Sequence, residues 1–279
     1  MAAEKGIIFD VERFAIYDGP GIRTTVFFKG CPMRCAWCQN PEGMSPEQEV
    51  LFREHLCVLC GRCVAACLHG AHEVLGRSHV FHRERCQAAR LCALACPTGA
   101  LAVAGREATV DEVMETVLRD RVFYEKSGGG ITLSGGEALM QAGFAKALLA
   151  AARSQGLHTA LDTCGFLPWA AFQGVLELVD LFLYDVKDTD PARHRQNTGA
   201  DLDLILDNLR RLDAAGAKIR IRSIIVPGVN DTIEHFEMLS EIERSLRGLE
   251  KMEILPYHGL GLPKWKALGR NAPNFTSRT

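Results

Sequence analysis

Thr24-Thr25-Val26-Phe27-Phe28-Lys29-Gly30-Cys31-Pro32-Met33-Arg34-Cys35-Ala36-Trp37-Cys38-Gln39-Asn40 joins a β-branched and aromatic run to three cysteines spaced C-x3-C-x2-C. The apolar half reads as a strand over 24–30. The cysteines then leave the strand's C-terminal end, where parallel α/β folds place their ligands. Three thiolates can hold three irons of a [4Fe–4S] cluster, which takes four protein ligands when fully satisfied. The fourth iron is then open to a small molecule, which suits chemistry better than electron storage. A zinc site completed by a distant Cys or His would share this spacing.

Just upstream, Asp18-Gly19-Pro20-Gly21 is turn chemistry, with Gly supplying φ > 0 and Pro a fixed φ. Downstream, Thr109-x-x-Glu112 is a capping box that predicts a helix to about Tyr124. Short apolar strands follow at 131–133, 158–163, 181–187, 218–226 and 251–257. Helices near 140–155, 168–179, 201–214 and 232–246 alternate with them. With 24–30, this makes six β/α units: an α/β fold, a partial (β/α)6 TIM-like barrel open on one side. An open side admits a macromolecular substrate. The strand ends carry polar or Gly residues: Gly135-Gly136-Glu137, Asp162-Thr163-Cys164-Gly165, Asp185-Val186-Lys187, Arg222, and Tyr257-His258. In a β/α barrel, function sits on this face.

Residues 49–104 interrupt the pattern. Cys57-x2-Cys60-x2-Cys63-x3-Cys67 is followed by Cys86-x5-Cys92-x3-Cys96-Pro97, a small ferredoxin-like iron–sulfur insert. In two-cluster ferredoxins the fourth Cys of each run serves the other cluster. One cluster would take Cys57, Cys60, Cys63 and Cys96. The other would take Cys67, Cys86 and Cys92, and its fourth ligand falls on Ala89. That site could hold three irons, or four with an open or non-Cys ligand, or be degenerate. His79, His82 and Glu84 nearby read as solvated loop residues. The chain thus divides into a core (1–48), the insert (49–104) and the rest of the core (105–279).

Composition narrows the class. The 279 residues carry 32 basic and 34 acidic side chains, a net charge of −2, unlike the basic footprint of a nucleic-acid binder. Met1-Ala2-Ala3-Glu4-Lys5-Gly6 lacks a signal-peptide pattern, and no apolar run approaches the ~20 residues of a membrane span. A soluble, cytoplasmic protein is expected. Ten of the eleven cysteines lie between 31 and 96, which favours metal ligation over disulfides and suits an oxygen-poor setting.

From Gly19 to Asn40 the chain resembles the glycyl-radical-enzyme activating enzymes of the radical S-adenosylmethionine (SAM) superfamily, in the pyruvate formate-lyase-activating type with a ferredoxin-like insert. Gly19-Pro20-Gly21-Ile22-Arg23, Phe27, Gly30-Cys31, Cys35, Cys38 and Asn40 carry the likeness, with the strand-end motifs above. The resemblance implies that Cys31, Cys35 and Cys38 bind a [4Fe–4S] cluster whose open iron is chelated by SAM. Reductive cleavage of SAM then leads to removal of a hydrogen atom from a glycine of the partner. By position, Gly135, Gly136 and Glu137 would meet the SAM amino group. Asp162, Thr163 and Asp185 would hold its methionine end, partly through a monovalent cation. Lys187 and Arg222 would face its carboxylate, His258 its adenosyl group and Trp37 its adenine. Asp18, with Gly19 and Gly21, would hold the partner's glycyl peptide. Cys164 reads as structural. One or two auxiliary clusters, a glycyl radical enzyme and a flavodoxin or ferredoxin-type electron donor complete the implied set, with no nucleic acid or membrane.

Two departures from the family stand out: Ala138 in place of Pro, and an end soon after Leu268-Gly269-Arg270, followed by an aperiodic tail from Asn271 to Thr279. Two other readings share parts of the pattern: a radical SAM enzyme acting on another peptide or small molecule, and a ferredoxin-like electron carrier.

Overall fold

The computed structural model describes residues 4–271 and residue 275. Its strands are β1 (Lys5–Ala15), β2 (Arg23–Phe28), β3 (Glu49–Phe52), β4 (His72–Leu75), β5 (Ser78–Phe81), β6 (Leu101–Ala104), β7 (Arg106–Thr109), β8 (Gly130–Gly135), β9 (His158–Thr163), β10 (Leu181–Asp185), β11 (Ile219–Ile225) and β12 (Leu249–Pro256). Its helices are α1 (Arg62–Ala66), α2 (Leu91–Leu94), α3 (Val110–Leu118), α4 (Arg121–Ser127), α5 (Ala142–Ser154), α6 (Trp169–Gln173), α7 (Pro191–Thr198), α8 (Leu202–Ala214), α9 (Ile233–Ser245) and α10 (Leu262–Ala267).

One eight-stranded sheet runs β12-β11-β10-β9-β8-β2-β1-β7. The six expected strands, β2 and β8 to β12, pair in parallel. The sheet is the partial barrel: β12 and β7 are its edges and do not pair with each other. β2, β8 and β10 are buried along nearly their whole length, as strands covered on both faces must be. Outside, α5 turns Phe144, Ala145, Leu148, Leu149 and Ala152 inward, a stripe at helical spacing. Fully burying Phe144 and Leu148 contributes ~1.5–3 kcal/mol each.

The structure departs from the sequence expectations at four places. β1 is an extra strand, antiparallel to β2 and β7, where only a turn-rich lead-in is expected. The helix opened by Thr109 has its capping box but stops at Leu118. Asp120 then turns inward, fully buried, to accept from Arg13 Nε at 2.7 Å, and α4 restarts after it. The helix expected over 168–179 ends at Gln173, before Gly174, and gives way to a 3-10 turn at Leu176–Leu178. α7 is additional: the Asp190 carboxylate caps Arg193 N–H at 2.6 Å, Pro191 starts the helix and Gly199 ends it.

In the insert, β3 pairs with β6 from Glu49↔Ala104 to Phe52↔Leu101, so the chain returns beside the point where it left. β4 and β5 form a hairpin. Val50, Cys63, Cys92 and Leu101 make a small core of its own. Among the described residues no helix is long and apolar enough to cross a membrane. Of the aperiodic tail, residues 272–274 and 276–279 lie outside the described residues.

Candidate metal centre and its cavity

The cysteine loop leaves β2 and is braced on three sides. At its base, Gly30 N–H donates to Gly43 O of the 3-10 turn Pro41–Gly43 at 2.8 Å, and from beyond β8 Glu137 N–H donates to Gly30 O at 2.7 Å. From α7, the carbonyls of Thr198 and Asn197 accept from Arg34 N–H at 2.7 Å and Ala36 N–H at 2.8 Å. From α10, Trp265 Nε1 donates to Cys38 O at 2.9 Å, and Lys264 Nζ to Asn40 Oδ1 at 2.9 Å. Gly136 is needed for this fit. A Cβ there would lie 2.2 Å from Gly30 O and 2.4 Å from Gly43 O, both backbone.

Cys31, Cys35 and Cys38 open on one cavity of about 1200 Å³ at the C-terminal ends of the parallel strands. Burial pushes the Cys35 thiol up to about 12 and Cys38 to about 11. A hydrogen bond with the Cys164 thiol holds Cys31 below the ordinary thiol value. Cys164 therefore also lines the cavity, beyond the structural role expected of it.

The cavity wall gathers most of the expected residues: Trp37, Gly135, Gly136, Asp162, Thr163, Asp185, Lys187, Arg222 and His258, with Asp18 and Gly19 at one side. Its charges are paired. Arg222 bonds Asp162, lies 3.3 Å from Asp185 Oδ1 and 3.8 Å from Asp18 Oδ1. Lys187 Nζ meets Asp185 Oδ2 at 2.9 Å. Burial drives Asp162 above the usual carboxylate range, although Arg222 opposes it. Burial pushes Asp185 the same way, but Lys187 and Arg222 outweigh it and leave Asp185 low. Ser134, which the sequence reading does not single out, donates to Asp162 Oδ2 at 2.6 Å. Its only signal is its place between Leu133 and Gly135 at the strand end.

Two expected residues stand behind the wall. Glu137 is fully buried and does not line the cavity. Its carboxylate accepts from Thr163 Oγ1 and Cys164 N–H, both at 2.9 Å, so it orients the end of β9. Burial lifts it to about 7, against those hydrogen bonds. Gly21 packs at φ 67, where a Cβ would meet Gly129 N and Ser127 O at 2.5 Å. Arg23 turns inward beneath Gly19, where a Cβ would lie 3.1 Å from its Nε. Fully buried, it donates through Nε to Thr132 Oγ1 at 2.6 Å, and Thr132 Oγ1 donates to Asp18 O at 2.7 Å. Thr25 Oγ1 then donates to Asp18 Oδ2 at 2.7 Å, and the carboxylate faces the cavity.

The insert sorts its cysteines into two groups. Cys57, Cys60, Cys63 and Cys96 line one small cavity. Cys67 and Cys86 lie near Cys92, and burial pushes the Cys92 thiol above its ordinary value. His79 corrects the solvated-loop expectation. It is half-buried on β5, with Nδ1 3.4 Å from Cys57 Sγ and Nε2 3.7 Å from Cys63 Sγ, and His72 Nδ1 lies 3.1 Å from its Nε2. Residues 16 to 22 positions apart meet here, which no local pattern announces. His82 lies 3.5 Å from both Glu73 and Glu84 with its own side chain only 26% exposed, so it too departs from the solvated-loop reading, whereas the Glu84 side chain is 69% exposed, as expected.

An iron–sulfur cluster and SAM fit what the cavity offers. Three thiols share one cavity with anionic and cationic groups, and the buried Trp37 indole N–H has no acceptor among the described residues.

The chain matches the radical SAM superfamily over residues 85–240, a 4Fe-4S single cluster domain over 17–65 and a 4Fe-4S dicluster domain over 56–100. It is 44% identical to the choline trimethylamine-lyase activating enzyme of Oleidesulfovibrio alaskensis, covering 98% of this chain and 90% of that one. It is 41% identical to the isethionate sulfite-lyase activating enzyme of the same organism, covering 96% and 88%. The crystal structure of Streptococcus suis SuiB bound to the precursor peptide SuiA shares the fold alone, with a TM-score of 0.50, 11% identity, and coverage of 88% of this chain and 40% of that one. These matches support iron–sulfur and SAM chemistry for the chain. The chain belongs to the radical SAM superfamily and, within it, to the activating enzymes of glycyl radical enzymes.

Proposed function

We propose that this chain activates a partner glycyl radical enzyme, with Cys31, Cys35 and Cys38 holding three irons of a [4Fe–4S] cluster. The supporting observation is that the three thiols open on the cavity that also gathers Asp162, Asp185, Lys187 and Arg222. Cluster and SAM would together supply one-electron reductive cleavage of the sulfonium and removal of a glycine α-hydrogen atom. The protein supplies placement and exclusion of water.

Lys187 and Arg222 bring positive charge to the methionine carboxylate, while Asp185 keeps both oriented. Asp162, Thr163 and Asp185 serve the methionine end, with room for a monovalent cation. The Gly135-Gly136 edge allows backbone approach to the amino group, and Glu137 acts behind it by fixing Thr163. Trp37 and His258 flank the adenosyl group. Asp18 and Gly19 receive the partner's glycyl peptide, and Gly21 supports them by packing. Cys57, Cys60, Cys63 and Cys96 hold one auxiliary cluster, and Cys67, Cys86 and Cys92 a second. Both lie on the route of electrons from a flavodoxin or ferredoxin-type donor. In this reading residues 49–104 form the auxiliary unit between core segments 1–48 and 105–279, and the protein works in an oxygen-poor cytoplasm.

A ferredoxin-like carrier has no use for the large charged cavity. The test is anaerobic reconstitution followed by measurement of 5′-deoxyadenosine. Cys35→Ala should abolish SAM cleavage and leave the insert's iron in place. Cleavage surviving the loss of Cys31, Cys35 and Cys38 together would end the proposal.

A further inference from the structure

Cys57-Val58-Leu59-Cys60-Gly61-Arg62-Cys63 and Cys86-Gln87-Ala88-Ala89-Arg90-Leu91-Cys92 have equal length. Their backbones repeat as well. Leu59 and Gly61 stand at φ 57 and 70, Ala88 and Arg90 at φ 50 and 63. Each left-handed pair brackets one residue: Cys60 in the first run, Ala89 in the second. The second member of each pair is the residue from which α1 or α2 starts, and Cys63 and Cys92 sit buried in those first turns. Left-handed φ comes without strain to Gly61 but not to Ala88 or Arg90. Strain held at two non-glycine residues marks a loop whose shape the surroundings demand.

Two thiols of the second site also accept backbone hydrogen bonds, as cluster ligands commonly do. Cys86 Sγ accepts from Ala88 N–H at 3.4 Å, and Cys67 Sγ from Ala71 N–H at 3.3 Å. Among the described residues no His, Asp or Glu side chain is hydrogen-bonded to Cys67, Cys86 or Cys92, whereas His79 stands against Cys57 and Cys63.

We infer that the second insert site carries a four-iron cluster held by Cys67, Cys86 and Cys92 alone. Its remaining iron, at the place Ala89 occupies, takes an exchangeable non-protein ligand. This rests on reading the insert as a two-cluster unit. An iron without a protein thiolate is the one that leaves on oxidation. With ferricyanide as oxidant, [4Fe–4S]2+ gives [3Fe–4S]+, one Fe2+ and one electron, which reduces ferricyanide to ferrocyanide.

The experiment uses the full chain with Cys31, Cys35 and Cys38 changed to Ala, so that only insert iron is counted. Anaerobic reconstitution should give about eight irons per chain. Ferricyanide should remove about one of them and produce the near-isotropic paramagnetic resonance signal of an oxidised three-iron cluster. Dithionite with Fe2+ should reverse both. In the same background Ala89→Cys should suppress the signal. Cys60→Ala should double it by opening the first site in the same way, a check that does not depend on the Ala89 variant assembling. A full complement of iron with no three-iron signal, or a signal indifferent to both substitutions, would overturn the inference. So would about four irons per chain with no signal. Iron near zero would instead overturn the two-cluster reading itself.

Discussion

The loop thiols and the insert thiols are held by different means. Cys35 and Cys38 are buried and braced by the end of β8, by α7 and by α10, contacts that span up to 227 residues of sequence. The insert cysteines sit on short turns within 49–104, Cys60 exposed, each run shaped by its own left-handed residues. A cluster that passes electrons needs a local wrap and proximity to the surface. A cluster that reacts needs its open iron aimed at a cavity, and under the proposed function the whole barrel would supply that aim. Disturbance of the barrel should therefore reach the loop site, and disturbance of the insert should stay local.

Arg222 gives the largest expected effect. It lies among Asp162, Asp185 and Asp18, with its own side chain 11% exposed and those of the first two aspartates 17% and 19%. Arg222→Met leaves Asp162 and Asp18 without their Arg222 partner and Asp185 with Lys187 alone. Breaking a buried charge network by removing one partner costs ~3–5 kcal/mol. Urea denaturation of the anaerobic protein should show that loss, and SAM binding should weaken with it. Iron at the insert should be unchanged. Parallel loss of insert iron would collapse the contrast between the two regions.

Paired glycine substitutions sharpen the contrast. Gly136→Ala forces a Cβ into two backbone carbonyls. The overpacking should cost ~2–3 kcal/mol and lower iron occupancy at the loop. Gly61→Ala meets nothing within 4 Å. Only its φ of 70 opposes the change, so ~1 kcal/mol is expected, with insert iron retained. Iron counting on loop-only and insert-only backgrounds distinguishes the two outcomes.

The same contrast explains what could be read from the chain. The parallel strands were legible because most are short β-branched or aromatic runs with Gly or a charge at or just beyond their ends; β12, Leu249-Glu250-Lys251-Met252-Glu253-Ile254-Leu255-Pro256, was legible mainly from its place after the last expected helix. The insert was legible because its cysteines are close in sequence. β1 was not: its charged, half-exposed residues make it an antiparallel flank rather than a buried strand. α7 carries a start signal at Asp190-Pro191 and a stop at Gly199, but Ala192-Arg193-His194-Arg195-Gln196-Asn197 has no apolar stripe to reveal the helix. Glu137 is legible as part of a strand-end motif, yet the direction of its side chain depends on β9, a neighbour only in space. His79 meets Cys57 across a hairpin for the same reason.

Ala88→Gly probes the smallest difference, between the two insert runs. Ala88 holds φ 50, which costs an L-residue ~1–2 kcal/mol. Glycine removes that strain but adds ~0.5–1 kcal/mol of unfolded-chain entropy to be lost on folding. The difference favours the variant by ~0.5–1 kcal/mol, a rise in melting temperature of about 1–2 °C for a chain of this size. Ala88 contributes no side-chain hydrogen bond, and its N–H to Cys86 Sγ survives the change. Anaerobic calorimetry can resolve a shift of this size. If instead the variant melts lower, Ala88 is held by packing rather than by strain, and the two runs are wrapped by different means.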